Sequence, residues 1–325
     1  MTQKVFKKLV IQIPCLNEAE TLPQTLKDLP RHVPGFDAVE WLVVDDGSTD
    51  ATPRVAAAEG VDHVLLLGYH QGLARAFMAG LEHSLKLGAD VIVNTDADNQ
   101  YSAACIPDLV RPILEGRALI VVGSRPISEI EHFSPAKKLL QRIGSWVVKL
   151  VSQTKIEDAT SGFRAIHRDA AVQLNVFGRY TYTLETIIQA GRKNIPMASV
   201  PVRVNPDLRP SRLIKSVKGY VGRSAMTILR IFIVYKPLRF FFGVALLLAV
   251  PAILFISRFL ILYFIGQGGG HIQSLVLAGA LLALSGLAAM GGVLADLVAT
   301  NRLLLEDVRT RQLQLELKLL SRAPR

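Results

Sequence analysis

The sequence predicts an α/β fold, a mostly parallel sheet with helices on both faces, followed by two transmembrane helices. Three observations carry that expectation. Short apolar runs alternate with helix-like stretches in the first part of the chain. Acidic and polar clusters fall at the ends of those runs. Two long, almost wholly apolar segments, Phe240–Ile265 and Ile272–Ala295, come later.

The first run, Leu9–Ile13, reads as a short buried strand, and a helical stretch near Glu20–Leu29 follows it. Trp41–Val44 with a helix near Thr52–Glu59 repeats the unit. Val64–Leu67 with a helix near Leu73–Leu87, then Val91–Asn94 with a helix near Ile106–Leu114, repeat it again before Leu119–Val122. Such repetition argues for parallel strands joined through helices on the two faces. Ligands bind such sheets at the carboxyl ends of the strands. The clusters Pro14–Glu18, Asp45–Asp50 and Asp96–Gln100 all fall there.

The chain has 325 residues, 50% of them hydrophobic, with mean hydropathy +0.33. The excess is local to the two long segments, each able to cross about 30 Å of hydrocarbon as a helix. Arg258 lies near the far end of the first, where a long cationic side chain can snorkel, and Asp296 and Arg302 bound the second. Neither segment has the position of a signal peptide. The link between them, Gly266 to His271, carries no Lys or Arg, whereas Lys215, Lys218, Arg223, Arg230, Lys236 and Arg239 precede the pair and Arg302, Arg309 and Arg311 follow it. An excess of positive charge on the cytoplasmic side would put both termini and the α/β domain in the cytoplasm and the glycine link outside. The net charge of +10 suits anionic headgroups. It would also suit nucleic acid, but no nucleic-acid module is present, and two spans make a membrane surface the better explanation. Cys15 and Cys105 have no metal-site spacing and are expected to stay reduced.

The expected organisation is a catalytic domain over residues 1–210, an amphipathic interfacial helix at 211–237, a transmembrane hairpin at 238–300 and a helical tail at 301–325. From Ser211 to Tyr235, apolar residues at helical spacing are interleaved with basic ones, as in a helix lying among headgroups. A core helix of the catalytic domain would show the same spacing. The tail has Leu303, Leu313, Leu317 and Leu320 among charges. It has two possible destinations: packing on the catalytic domain, or pairing with another chain. A homo-oligomer through the transmembrane or C-terminal helices is compatible with the pattern.

The stretch VIVNTDADNQ, Val91 to Gln100, is the most informative one. A buried strand ends in Asp96 and Asp98, and side chains two apart on extended backbone point the same way. Two such carboxylates suit a hard divalent cation, Mg²⁺ or Mn²⁺, whose remaining positions are left to water and phosphate. An Asp-rich solvated turn would look alike in isolation. Asn17 and Glu18 could accept at the start of a helix. The run Asp45-Asp46-Gly47-Ser48-Thr49-Asp50 combines a tight turn with carboxylates able to accept from a ribose or base. Gly72-Leu73-Ala74-Arg75-Ala76 is a small-residue helix start that could approach a diphosphate, with Arg75 as counter-charge.

In this order and spacing, over residues 8 to 215, these clusters resemble glycosyltransferase family 2, whose members have a GT-A nucleotide-sugar-binding fold. The resemblance implies that Pro14, Asn17 and Glu18 line the nucleotide pocket and that Asp45 or Asp46 holds base or ribose; Gly72 and Arg75, read from the helix start itself, are expected to serve the donor. It also implies that Asp96 and Asp98, with Gln100 beside them, carry the divalent metal. Asp158-Ala159-Thr160-Ser161-Gly162-Phe163-Arg164 is similar to the D-x-x-S-G-F-R segment of dolichyl-phosphate mannose synthase and related polyprenyl-phosphate glycosyltransferases. Gln100 and Gly123-Ser124-Arg125 match further elements of those enzymes. Arg209-Pro210-Ser211-Arg212-Leu213 sits where they carry R-x-x-G-x-S-K-L, but with shorter spacing, no Gly, and Arg212 in place of Lys. The Q-x-x-R-W signature of processive polysaccharide synthases does not fit Gln141 to Trp146.

The resemblance implies an inverting hexosyl transfer from a GDP- or UDP-sugar to a polyprenyl or dolichyl phosphate. Asp96, Asp98, Arg125 and Arg164 would act in the reaction, and Ser124, Arg125, Ser161, Arg164, Arg209 and Ser211 would hold the acceptor phosphate. An acceptor phosphate is already anionic and needs positioning, not deprotonation. An alcohol acceptor such as diacylglycerol would need a carboxylate base, for which Glu157 and Asp158 are the candidates. A non-catalytic nucleotide-sugar-binding scaffold is the other alternative.

Overall fold

Branched apolar residues with no polar face fill the middle of the sheet, as strands covered on both sides require. In β1 (Phe6–Cys15), Leu9, Val10, Ile11 and Ile13 are all fully buried. The structure is a computed structural model that describes residues 6–125, 156, 158–176, 182–206, 226, 229–230, 232–266 and 272–322. Strands β2 (Phe36–Asp45), β3 (His63–Leu66), β4 (Val91–Asn94), β5 (Ile120–Ser124), β6 (Arg164–His167) and β7 (Met197–Pro201) complete a seven-stranded sheet of order β3-β2-β1-β4-β6-β5-β7. β1, β2, β3 and β4 are parallel, as are β5 and β7, while β6 runs antiparallel to both β4 and β5. All five expected strands form. β6 and β7 add two that the apolar pattern does not reveal.

Helices α1 (Leu22–Asp28), α2 (Thr52–Ala58) and α4 (Ile106–Leu114) each carry a proline in the first turn, where its missing N–H costs no helical bond. α3 (Leu73–Lys86) buries Ala74, Phe77, Leu81 and Leu85, a single stripe at helical spacing. One face of the sheet, with Leu9, Ile11, Ile13, Val43, Val91 and Val93, packs with Leu22 and Leu26 of α1 and Ile106, Leu109 and Ile113 of α4. α3 covers the other face, and Gly80 lets it come close to Val44 and Gln12. Truncating a central residue such as Ile11 to alanine would cost about 2–5 kcal/mol in transfer and cavity terms. Helices α5 (Arg168–Ala171) and α6 (Thr183–Arg192) follow β6.

The chain falls into two compact units, Met1–Val221 with Val308–Arg325, and Gly222–Asp307. The second contains α7 (Pro237–Phe264) and the first part of α8 (Ile272–Arg322). Both helices are long and apolar enough to cross a membrane, with mean hydropathy 2.6 and 2.0 in their most apolar windows. α7 has 28 residues and α8 has 51. At about 1.5 Å per residue, α7 exceeds a bilayer's hydrocarbon thickness and α8 is more than twice it. The Ser285 hydroxyl donates to the Ala245 carbonyl at 2.9 Å, and Gly292 leaves no room for a Cβ against Phe241. The tail is not a separate helix: no Gly or Pro interrupts the sequence between Ala295 and Leu320, and α8 runs through it. Of its two expected destinations, the structure shows packing on the α/β domain, where Glu316 pairs with Lys86 at 2.8 Å and Arg309 with Glu82 at 3.7 Å. Of the expected interfacial helix, residues 226, 229–230 and 232–235 are helical, and 211–225, 227–228 and 231 lie outside the described residues.

Candidate active site

Parallel strands deliver the loops after β1, β2, β3, β4 and β5 to one edge of the sheet. β6 brings a sixth segment to that edge because it runs the other way. Arg164, its first residue, pairs with Asn94 and Val122, the last positions of their neighbours' ladders, so residues 158–163 enter from the carboxyl side. The segment after β7 closes onto the same place: the Asn205 N–H donates to the Gln100 carbonyl at 2.8 Å, and Tyr101 bridges Val204.

Asp96 and Asp98 stand together at the end of β4, both only partly exposed. Burial, then the nearby charge of Asp98, pushes the Asp96 carboxyl up to about 7, with Glu18 adding to the shift and Arg125 and Arg164 opposing it. A Cβ on Gly162 would lie 3.0 and 3.1 Å from the two Asp96 oxygens and 2.9 Å from the Tyr182 hydroxyl. Only glycine allows that loop so close to the carboxylate. Asp98 Oδ1 accepts from the Gln100 N–H at 3.1 Å. Among the described residues, no group of three His, Cys, Asp or Glu side chains is arranged to hold a metal. A cation here would therefore be held by Asp96 and Asp98, with Gln100 in the same turn, and completed by oxygens the protein does not supply.

Arg125, just beyond β5, is already paired. Its Nε donates to Asp158 Oδ2 at 2.7 Å, and one terminal nitrogen donates to Asp158 Oδ1 at 3.1 Å and to Thr160 Oγ1 at 3.0 Å. Burial raises the Asp158 carboxyl, but the hydrogen bond and charge of Arg125, with Thr160, outweigh it, and the net shift is down. The Arg125 side chain keeps 13% exposure against 1% for Asp158. Ser124 is partly exposed beside it.

Arg164 points elsewhere. It is fully buried, and each of its three nitrogens has a protein partner: Ser161 O at 2.8 Å, Ala159 O at 2.9 Å and the Thr186 hydroxyl on α6. Ser161 is likewise buried, its Oγ turned to the Phe163 N–H and the Tyr101 hydroxyl. Direct contact of Arg164 or Ser161 with an acceptor is thus not what this geometry offers. Both hold the shape of the 158–164 loop.

The β1 and β2 loops are stitched to each other. Asn17, at a positive φ of 56°, accepts from the Thr49 and Asp50 N–H groups, and its own N–H donates to Ser48. The Glu18 N–H donates to Thr52 Oγ1. Asp46 accepts from the Gln71 and Gly72 N–H groups at 2.7 and 2.9 Å and faces His70, so it fixes the turn that opens α3. Gly47 must be glycine, at φ 76° with Tyr69 backbone 2.5 Å from where a Cβ would sit. Asp45 accepts from the Ser48 N–H through Oδ2, while its buried Oδ1 has no protein partner. Such an atom is where a ligand's donor N–H or O–H fits. Pro14 is buried in β1, and Arg75 is exposed on the first turn of α3. Arg209, Ser211 and Glu157 lie outside the described residues.

Sequence reasoning missed Gln12, Asn94, Tyr101 and Tyr182. Gln12 Nε2 donates to Asn94 Oδ1 at 2.8 Å, and Asn94 Nδ2 donates to Gly162 O and to the Tyr182 hydroxyl, both at 2.9 Å. The signal was a lone amide inside each of two apolar strands, where burial requires a partner.

The profile of Glycosyl transferase family 2 matches residues 10–174. Undecaprenyl-phosphate mannosyltransferase of Micrococcus luteus is 30% identical over 229 residues, 67% of this chain and 91% of that protein. UDP-N-acetylglucosamine--dolichyl-phosphate N-acetylglucosaminyltransferase of Methanococcus voltae is 27% identical over 219 residues, 61% of this chain and 85% of its own. Among solved structures, glucosyl-3-phosphoglycerate synthase from Mycobacterium tuberculosis in complex with phosphoglyceric acid matches with TM-score 0.56 at 19% identity, covering 70% of this chain and 79% of that one. The same enzyme with Mn²⁺, uridine-diphosphate and phosphoglyceric acid matches with TM-score 0.52 at 18% identity, covering 68% and 78%. At such identity the likeness is one of fold.

Proposed function

The chain belongs to glycosyl transferase family 2, and from that premise we propose that it moves a hexose from a nucleotide sugar to a polyprenyl phosphate at a membrane surface. The observation that carries this reading is the pairing of two unlike clusters on one edge: the Asp96–Asp98 carboxylates and the Arg125–Asp158 pair. The acceptors in the two relatives' names, undecaprenyl and dolichyl phosphate, support the lipid phosphate.

A divalent cation, Mg²⁺ or Mn²⁺, would offset the negative charge that grows on the leaving diphosphate. The donor set fits it: two hard carboxylate oxygens that carry like charge and lack a third protein ligand among the described residues. Asp45, with its unpartnered Oδ1, receives a donor group of the base or ribose, and Gly72 with Arg75 serves the diphosphate. Asn17, Asp46 and Glu18 shape that pocket from behind. The acceptor's phosphate oxygen attacks the anomeric carbon opposite the leaving group, which inverts the configuration. It arrives ionised, so the protein's task is to place it. Arg125, held flat by Asp158, and Ser124 take that role; Arg209 and Ser211 follow in the sequence. Arg164 and Ser161 act one step back, as positioning residues for the loop.

An alcohol acceptor would need a base. Asp158 is poorly suited, since Arg125 keeps its carboxyl down. Asp96, pushed up to about 7 by burial and the charge of Asp98, is the carboxylate able to take a proton while no cation occupies it, and the second reading rests on that. The two readings diverge on chelation. Removing divalent ions stops transfer under the first and leaves Asp96 free to act under the second.

The spans anchor the enzyme where its acceptor's phosphate lies, with the catalytic unit and both termini in the cytoplasm. A cysteine placed at Gly269 is expected to react with an impermeant reagent outside intact cells, and one at Ser321 is not. The reverse pattern would overturn this orientation. A thermal-shift screen of GDP- and UDP-sugars with Mn²⁺ names the donor, because ligand binding raises apparent stability by mass action. No shift with any of them would favour a chain that no longer binds nucleotide sugars.

A further inference from the structure

Gly162 is gripped from several sides. Its N–H donates to the Tyr101 hydroxyl at 3.1 Å, and its carbonyl accepts from Asn94 Nδ2 at 2.9 Å and from the Tyr182 hydroxyl at 3.4 Å. The space a Cβ would fill is bounded by that same Tyr182 hydroxyl and by both Asp96 oxygens. Gly162 therefore lets the Tyr182 hydroxyl and the Asp96 carboxylate both close on the space that its missing Cβ leaves.

Tyr182 itself is held in two ways. Its ring stacks on Phe77 of α3 with centroids 3.8 Å apart and planes 7° from parallel. Its hydroxyl accepts from Asn94, whose amide is turned by Gln12. Asn94 is the last residue of β4, two residues before Asp96. The residue that ends the strand before Asp96 and the glycine packed against its carboxylate thus both run to one tyrosine. Phe77 belongs to the helix that Gly72 opens, so the same ring also registers α3 against the acidic pair.

We propose that Tyr182 is a positioning residue for Asp96, fixing through Gly162 the carboxylate geometry that a divalent cation meets. The inference rests on the cation reading of Asp96 and Asp98. Removing the hydroxyl lets the loop relax and widens the carboxylate's range, which weakens cation binding before it touches chemistry. Groups that orient metal ligands typically change metal affinity by about 10–100-fold when lost.

The test is Tyr182→Phe in the full-length, detergent-purified chain, with transfer rate measured against Mn²⁺ concentration at saturating donor. Phenylalanine keeps the stack on Phe77. The expected result is a half-saturating Mn²⁺ concentration raised about tenfold, with the rate at saturating Mn²⁺ lowered much less. Calorimetric titration of Mn²⁺ into each protein with the nucleoside diphosphate present should show the same shift. Gly162→Ala, which drives a methyl into the Asp96 oxygens, should move the same readout further. If wild-type transfer depends on Mn²⁺ and Tyr182→Phe keeps the same half-saturation, the inference falls alone. If wild-type transfer persists unchanged after chelation, the cation reading falls and takes the inference with it.

Discussion

Asp96 and Asp158 are two shielded aspartates of one site that burial treats alike and their neighbours treat oppositely. Burial raises both. Asp96 then meets the charge of Asp98 and goes up to about 7, whereas Asp158 meets Arg125 at 2.7 Å and goes down. Asp158 already has its cation, supplied by the chain. Asp96 and Asp98 repel each other and gain most from a cation that is not part of the chain.

The largest effect that could break this comparison is Asp98→Ala. Transfer should fall about a thousandfold, since the stabilisation of leaving-group charge is lost, while the thermal midpoint stays near wild type. Near-normal rates with Mg²⁺ or Mn²⁺ present would remove the cation from the acidic pair. Asp158→Ala should behave differently. It leaves the mostly buried Arg125 without its carboxylate and should cost about 3 kcal/mol of stability, read by denaturant unfolding. A stable Asp158→Ala protein would mean that Arg125 relaxes to solvent.

The opposite shifts also give opposite pH dependence. Asp96 has a folded value raised above that of the unfolded chain. Its contribution to stability is therefore full below the unfolded carboxylate range and is lost as pH rises through about 7. Asp158, with a lowered value, contributes above the unfolded range and loses that as pH falls. Metal-free protein should accordingly lose thermal stability between pH 5 and pH 8 by about the amount that Asp96→Asn abolishes. Mn²⁺ should bind more tightly over the same rise, because the ion competes with a proton on Asp96. A pH-independent Mn²⁺ affinity would show that Asp96 is ionised throughout. The smallest expected effect is on the tail: Glu316→Gln removes a partly exposed ion pair with Lys86 and should change stability by less than about 1 kcal/mol.

Much of this was legible in the sequence. The five strands were, because each is a run of branched residues; four of them are buried in the sheet, whereas β3 is an edge strand, half-exposed and with Leu66 open to solvent. The acidic edge was, because Asp96 and Asp98 follow directly on such a run. β6 was hidden because it begins with a buried arginine, and β7 because Met197–Pro201 is a half-exposed edge strand with little apolar signal. The motif containing Arg164 is expected to hold the acceptor phosphate, and residues 158–163 do reach the carboxyl edge of the sheet. It could not say that the guanidinium turns inward to Ala159, Ser161 and Thr186, because that depends on α6, which lies beyond the motif. The tail's packing on α3 depends on charges more than two hundred residues apart in sequence, and no local pattern encodes that pairing.

The most direct test of the account is product formation by the purified full-length chain given a bound nucleotide sugar, Mn²⁺, and a short polyprenyl phosphate beside diacylglycerol. The products would be resolved by mass spectrometry. The account predicts a hexosyl polyprenyl phosphate, lost on chelation and lost in Asp98→Ala, with diacylglycerol untouched. Glycosylated diacylglycerol without sugar on the polyprenyl phosphate, or transfer that survives both chelation and Asp98→Ala, would contradict it.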